Sequence, residues 1–476
     1  MRPHSRHAAL WNPALPAVAF AALLLAAGPA AAAEQRVGEE ARVRLDLTVY
    51  NQDLALIGEA RRIVLGQGEN TLAFEGVSPA LRPETVLLHG TGLRLLEQSF
   101  AFDLLTPQRL LGASVGRDVR LVRVHPQTGE ETMVDARVLS VAEGPVLRIG
   151  DSIETDVPGR IVFDRVPDGV RERPTLLASI DSATAGEAEV HLSYLSSGLS
   201  WRADYVAELN AAEDRLALTG LVTLSNTSGT TFRDANLRLV AGVLNVATPS
   251  PLRAPMEFRA KMEMAAAAPM PAPQAAGDLY VYPIARPITV ANQETKQVVL
   301  LAAQDVAVRK VYRFETWAGD ESGGGDTEPR NAAVTLVMDN KTDSGLGMPL
   351  PAGIVRIYQA APGGSLFAGE DGIRHTAAGE RVKLTLGSAF DVTGEATQTA
   401  FERISNRSFE TAQTITLRNA KADAVEVQVV GNLPPGWRML EESAPHAPET
   451  ASRIVWTVRV PAKGSANLSY RIRVNY

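Results

Sequence analysis

The sequence predicts an all-β, multi-domain β-sandwich protein with a small inserted β-barrel and a C-terminal immunoglobulin-like sandwich. Three observations carry that expectation. Apolar and polar residues alternate through most of the chain, as where Leu216, Leu218, Gly220, Val222 and Leu224 share one side of a run, and a side-chain period of two marks a sheet with one buried face. Turn-forming glycine, asparagine and proline recur at short intervals between these runs, which favours all-β packing. No heptad pattern appears, so no helical scaffold is expected.

Of the 476 residues, 45% are hydrophobic and 21% charged, which is enough to build packed cores and excludes bulk disorder. At roughly 100 to 200 residues per domain, that length implies about two to four domains. A formal net charge of -7 argues against nucleic-acid binding, which needs a basic footprint to displace counterions. Cysteine is absent, and with it go disulfides, thiolate metal ligands, a cysteine nucleophile and a lipid-anchored cysteine.

Residues 1–33 read as a cleaved export leader. Arg2 and Arg6 give a positive start, the run from Trp11 to Ala33 carries no charge, and Ala31 and Ala33 suit a signal peptidase. A retained anchor is the rival, but Pro13, Pro16 and Pro29 shorten the usable helix below the roughly 20 residues that a span needs. No later apolar stretch is long enough to cross a bilayer as a helix, so the mature chain is expected to be soluble on the far side of the membrane.

An N-terminal β domain follows over 34–109, opening on Val43, Leu45, Leu47 and Val49. Residues 110–165 show short β pieces between glycines, read as a small barrel or meander. A central β-sandwich spans 175–392 and is interrupted by 247–277, whose prolines and alanines predict a flexible excursion without strands around a possible short helix at 256–268. Met256, Met262, Met264 and Met270 in that excursion also suit an adaptable partner-binding segment. The C-terminal 395–476 carries the cleanest alternation, through Ile415, Val427, Trp456 and Tyr470, at the size of an immunoglobulin-like sandwich. Three strand exits repeat, ending at Asn226, Asn340 and Asn419, where asparagine suits a turn.

A resemblance rests on several of these runs. Tyr194 to Tyr205 (YLSSGLSWRADY), Leu237 to Gly242 (LRLVAG) and the opening Val49 to Leu56 (VYNQDLAL) are similar to a bacterial envelope family known only as a domain of unknown function, number four-one-three-nine. The family is related to mucoidy-inhibitor-like proteins. Leu433 to Trp437 (LPPGW) and Ser469 to Val474 (SYRIRV) fit it too, so the resemblance covers nearly all of the mature chain. It implies an exported protein, periplasmic or extracellular, and brings no catalytic residues with it. Larger relatives of the mucoidy-inhibitor arrangement carry a long helical hairpin ahead of the β region; without a heptad pattern here, a role resting on that hairpin is not implied.

The most distinctive residues are Trp201, Arg202, Asp204 and Tyr205, a signature for interaction or for structure. Asp204, between aromatics and beside Arg202, reads first as an ion pair or hydrogen bond that fixes a strand crossing, and second as a ligand site. Gly112 to Gly116 matches the G-x-S-x-G nucleophile elbow around Ser114, but a strand and not a helix is expected after it, so it reads as a turn. His89, His125, His191, His375 and His446 are far apart in sequence and predict no zinc site. Trp201 and Trp317 could form a sugar-stacking platform, although a buried tryptophan is commoner in a sandwich. Asn226, Asn340, Asn406 and Asn467 match the glycosylation sequon and are read as turns.

No catalytic, cofactor-binding or metal residue is therefore expected. The leading expectation is a non-enzymatic cell-envelope protein that contacts another envelope protein or a surface polysaccharide. The alternative is an envelope glycan hydrolase using paired carboxylates. A deep cleft with converging acids would mark the hydrolase, and an open sheet edge or an apolar patch the binder.

Overall fold

The computed structural model describes residues 34–101, 105–155, 157–167, 170–242, 244, 273–277, 279–318 and 328–475. The expected leader and the 256–268 helix lie outside the described residues. Within them, helical structure amounts to the α-helix Pro107–Ala113 and three 3-10 turns, and the strands form five sheets. The chain is all-β.

Two large sheets share the main core. The first runs in the order Gln274–Ala276, Leu279–Pro283, Phe232–Ala241, Arg42–Tyr50, Ala55–Leu65, Gly186–Ser196, Leu87–His89, with Ile288–Val290 also paired to Phe232–Ala241. The second runs Glu294–Ala307, Arg215–Asn226, Leu199–Leu209, Gly353–Ala361, Gly364–Ile373. Leu47, Val49 and Leu239 of the first meet Trp201, Tyr205 and Val222 of the second in one continuous apolar cluster. Fully burying each such large side chain contributes about 1.5–3 kcal/mol.

A four-stranded sheet of Gln35–Val37, Gly68–Glu75, Thr175–Ser182 and Leu93–Ala101 adds Phe74 and Leu176 to the same cluster. Strands before residue 109 thus pair with strands after 175, and the two stretches build a joint core. Strand Gln274–Ala276 lies at the end of the excursion that was expected to hold none; past Pro273 its backbone is free to pair with Leu279–Pro283.

The chain leaves the four-stranded sheet at Ala101 and returns at Thr175, its direct cross-strand partner, so everything between is an insertion. Its sheet runs Ser152–Glu154, Val146–Ile149, Glu131–Ser140, Asp118–Val124, Arg160–Val162. Of the barrel or meander expected here it is the meander: Asp118–Val124, Glu131–Ser140, Val146–Ile149 and Ser152–Glu154 pair antiparallel in chain order, and the sheet stays open. Both edges are three-residue strands, too short to close a ring, and Leu111 and Phe163 already pack on the small core of Leu121, Val138 and Leu147. Leu111 comes from the helix Pro107–Ala113, which the β reading of this region misses. Thr106 caps that helix, accepting from the Arg109 amide at 3.1 Å, and Pro107 opens it.

The remaining sheet has nine strands, from Trp437–Glu442 at one edge to His446–Thr450 at the other, and includes Arg309–Trp317 and Arg330–Asp339. It folds over on itself. Trp456 and Tyr470 stack with centroids 4.9 Å apart although their strands, Arg453–Val460 and Gly464–Asn475, are not neighbours in the sheet. Strand Arg381–Ser405 pairs first with Arg330–Asp339 and then with Ser408–Asn419, so it crosses residues 392–395 unbroken.

The three repeated asparagines are more than turn residues. Asn226, Asn340 and Asn419 are 0%, 0% and 2% exposed. Each amide donates to a carbonyl of its own loop, at Thr230 (2.8 Å), Met348 (2.7 Å) and Asp423 (2.8 Å). Each also reaches a second loop, at Ala291 (3.0 Å), Ala377 (2.9 Å) and Pro461 (3.0 Å). A short amide that both donates and accepts satisfies backbone groups that the loop crossing would otherwise bury unpaired. Of the other two sequon asparagines, Asn406 is in a turn, whereas Asn467 is an exposed position within strand Gly464–Asn475.

Candidate functional site

The signature residues sit in Leu199–Leu209, the middle strand of the five-stranded sheet. Alternation sends Trp201, Ala203 and Tyr205 inward and Arg202 and Asp204 outward. Inside, the Trp201 indole donates to the Val240 carbonyl at 3.2 Å, which ties the two large sheets together. The Tyr205 hydroxyl donates to the Pro351 carbonyl at 2.8 Å. Burial raises its pKa well above the ordinary phenol value, so it acts as a fixed donor.

Outside, Asp204 is the centre of a polar ladder that crosses all five strands. Gln297 donates to Thr223 at 3.1 Å, Thr223 to Asp204 Oδ2 at 2.7 Å, and Arg356 Nη1 to Asp204 Oδ1 at 3.0 Å. Arg356 Nε then reaches Glu370 at 3.2 Å, while Arg202 Nε lies 3.3 Å from Asp204. Burial alone would raise the Asp204 pKa. The hydrogen bonds from Thr223 and Arg356 and the charges of Arg202 and Arg356 outweigh it, so the carboxyl titrates below its usual range. With both oxygens occupied, Asp204 is a bonded brace of the sheet.

The ladder ends at Gln297 in Glu294–Ala307, and this strand is an edge: among the described residues it pairs only with Arg215–Asn226. Beside it opens a cleft of about 970 Å³. One wall is residues 296–302 and the other residues 282–289, with Met348 and Pro273 completing the lining. The described lining carries two cations, Lys296 and Arg286, and no carboxylate. Tyr282 belongs to this wall, packs against Trp201 at 6.4 Å and donates to the Pro349 carbonyl at 3.3 Å. Gly220 sets the depth of packing behind the edge, because a Cβ there would meet Leu301 at 2.8 Å and Tyr205 at 3.2 Å.

The other sequence candidates fall elsewhere. Ser114 follows the helix Pro107–Ala113 and precedes strand Asp118–Val124, the reverse of a nucleophile elbow, and its hydroxyl donates to the Leu110 carbonyl at 2.7 Å. Trp201 is 3% exposed and Trp317 is 56% exposed in a different sheet, so the two form no joint platform. Sequence distance conceals one histidine pair. His89 and His191 are cross-strand partners whose rings stack at 5.0 Å. His446 instead bonds Glu442 at 2.8 Å. Among the described residues no group of three or more histidines and carboxylates is arranged to hold a metal ion.

Fold and cleft together define a β-sandwich protein with a braced sheet and an accessible sheet edge. The chain belongs to the family described as Domain of unknown function (DUF4139), whose model matches residues 190–476. That range includes the signature, the edge strand and the C-terminal LPPGW and SYRIRV runs, and leaves the opening run at Val49 outside. No curated protein matches the chain.

Proposed function

We propose that this is an exported, non-enzymatic cell-envelope protein that binds another envelope protein through the cleft beside Glu294–Ala307. The observation that carries the reading is the sheet edge with an uncharged run, Val298 to Ala302, lining an aliphatic cleft. A glycan hydrolase needs two carboxylates facing its substrate, whereas the described lining of this cleft offers cations and aliphatic side chains. A polysaccharide receptor would favour an open aromatic platform, and the aromatic nearest the cleft, Tyr282, is 4% exposed. The positive start and uncharged run of residues 1–33 support export.

The test is photocrosslinking in the native cells with a benzophenone side chain in place of Val299, which is 50% exposed. A control carries the probe at Phe390, which is 90% exposed in strand Arg381–Ser405 of the nine-stranded sheet. A protein adduct specific to position 299 is expected. Glycan adducts alone, or polysaccharide turnover by the purified chain, would reverse the reading.

A further inference from the structure

We propose that the edge of Glu294–Ala307 is a strand-addition site, which takes an extended apolar segment of a partner protein carrying an acidic residue opposite Arg286. The inference rests on the reading of the chain as a protein-binding module and names the chemistry of what is bound.

The geometry of the wall comes first. Residues 296–302 line the cleft consecutively. Side chains of a strand alternate between its two faces, so a wall built from seven successive residues is the edge of the strand, backbone included. At about 3.3 Å per residue it offers roughly 23 Å of main chain. On each regular stretch of the edge, as over Lys296 to Val299, every second residue turns its N–H and C=O away from the sheet, and these groups bind best to another extended chain.

Natural edges are usually blunted by charge, proline or cover. Here charge and cover sit at the ends, while the register with Arg215–Asn226 shifts between Val299 and Leu301 and between Ala303 and Val306, so that the run is interrupted by a bulge at Leu300. Lys296 is held back by the Thr289 carbonyl and by Glu294 at 3.1 Å, and so closes one end. At the other, Gly345 packs within 3.2 Å of the Gln304 and Asp305 carbonyls, measured from where its Cβ would be. Between them Val298, Val299, Leu300, Leu301, Ala302 and Ala303 contain no charge, proline or glycine.

The opposite wall cannot fill the gap itself. Pro283 and Pro287 have no N–H to give, and the Ile284 amide is already committed to the Leu237 carbonyl at 2.9 Å. Among the described residues the cleft therefore stays open between two sheets whose inner faces are packed together.

Charge selects the occupant. Arg286 is exposed and has no ion pair or hydrogen bond among the described residues; since Lys296 is paired with Glu294, Arg286 is the unmatched cation of the described lining, which holds no carboxylate. A second copy of the chain would bring its own Lys296 and Arg286 to the same place. An apolar strand with an acidic side chain complements both the edge and the charge.

The test uses the full exported chain and a fluorescent synthetic peptide of about eight residues, a usual strand length, alternating valine and threonine around a central glutamate. Two control peptides replace the glutamate with lysine or methylate alternate backbone nitrogens. The parent peptide is expected to bind, and each control to bind at least about tenfold more weakly, a loss of about 1.4 kcal/mol. Val299→Lys should weaken the parent peptide by a similar factor, and Arg286→Glu should invert the preference between glutamate and lysine peptides. Should Val299→Lys fail to fold, Ala302→Lys at an exposed position of the same edge serves instead.

Equal binding of the N-methylated peptide would overturn the inference. So would a concentration-dependent dimer abolished by Val299→Lys, or binding seen only after shortening the chain across 248–270, since the edge would then be taken by a second copy or by the chain itself. If no peptide binds while a probe at position 299 still captures one protein in cells, strand addition fails and the binding reading stands. If both fail, so does the binding reading.

Discussion

Asp204 and Arg356, 152 residues apart in the chain, join at 3.0 Å on the outer face of the five-stranded sheet. Their strands run parallel, and a parallel pair has no hairpin to hold its register. A charged bond at a fixed offset, Arg356 lying opposite Val206 and reaching back to Asp204, supplies that register instead. Because the edge strand Glu294–Ala307 is tied to the same carboxylate through Thr223 and Gln297, the brace reaches the cleft.

Replacing Asp204 with Ala should therefore destabilise the chain by about 1–3 kcal/mol, the cost of leaving a buried partner unpaired. The lower end of the range is favoured because the Arg356 side chain is 38% exposed and stays hydrated and near Glu370. Urea unfolding of D204A and of R356M measures it, and the double variant should cost less than the sum of the two. The sign with pH is fixed as well. The folded pKa of Asp204 lies below its unfolded value, so its contribution is present above about pH 4 and is lost as pH falls through the folded pKa.

A second pair is fully enclosed. Arg61 is 0% and Glu59 is 4% exposed, on one strand, bonded at 2.6 Å. Arg61 also donates to the Val37 carbonyl at 2.7 Å and the Glu75 carbonyl at 2.9 Å, so one guanidinium anchors the first described strand to its neighbour. Arg61→Met should cost about 3–5 kcal/mol, because it takes the directly bonded cation from the buried Glu59 carboxylate and leaves it only Arg42 at 4.0 Å and the Tyr194 hydroxyl at 3.4 Å. Combining it with Glu59→Leu should recover part of that loss. Chemical denaturation gives the magnitudes, and amide exchange at residues 35–37 should accelerate first in the single variant.

Much of this architecture is legible in the sequence, and what is missing has one physical origin. Alternation over Arg215–Asn226 and Gly464–Asn475 shows which side chains face a core because it is a local property. Strand order is not local. That Glu294–Ala307 ends its sheet, that His89 stands opposite His191, and that Asp204 meets Arg356 all depend on which distant strands pair. The helix Pro107–Ala113 is a different case, since Thr106-Pro107 is a local start signal obscured by the glycine-spaced β pieces after it. The recurring asparagines are visible as turns, whereas their second bonds, to other loops, are not.

Those second bonds give a third prediction. Asn340→Ala removes donors to Met348 and Ala377 and an acceptor for the Gly347 amide, leaving buried backbone groups unsatisfied. A loss of about 1–3 kcal/mol is expected. Asn340→Asp should not rescue it, because a carboxylate cannot donate to the two carbonyls. Melting of the two variants against the parent chain decides the matter. A Ser substitution at Asn406, which lies in an exposed turn, should leave stability within about 0.5 kcal/mol.

The stacked histidines give the last. His89 is exposed at the sheet surface, but partial desolvation of its ring lowers its pKa, and the neighbouring charge of His191 lowers it further. The folded chain thus binds fewer protons at this site than the unfolded one as pH drops past the ordinary histidine value near 6.5. By linkage, stability is unaffected well above that pH and declines as pH falls through it, until the folded pKa is passed. Urea midpoints at about pH 7.5 and pH 5.5 should differ in that direction. His89→Asn should flatten the difference, since it removes both the depressed group and the like charge facing His191. An unchanged pH slope in that variant would assign the acid sensitivity to groups other than His89; Asp204 is not among them, because its contribution changes only below about pH 4.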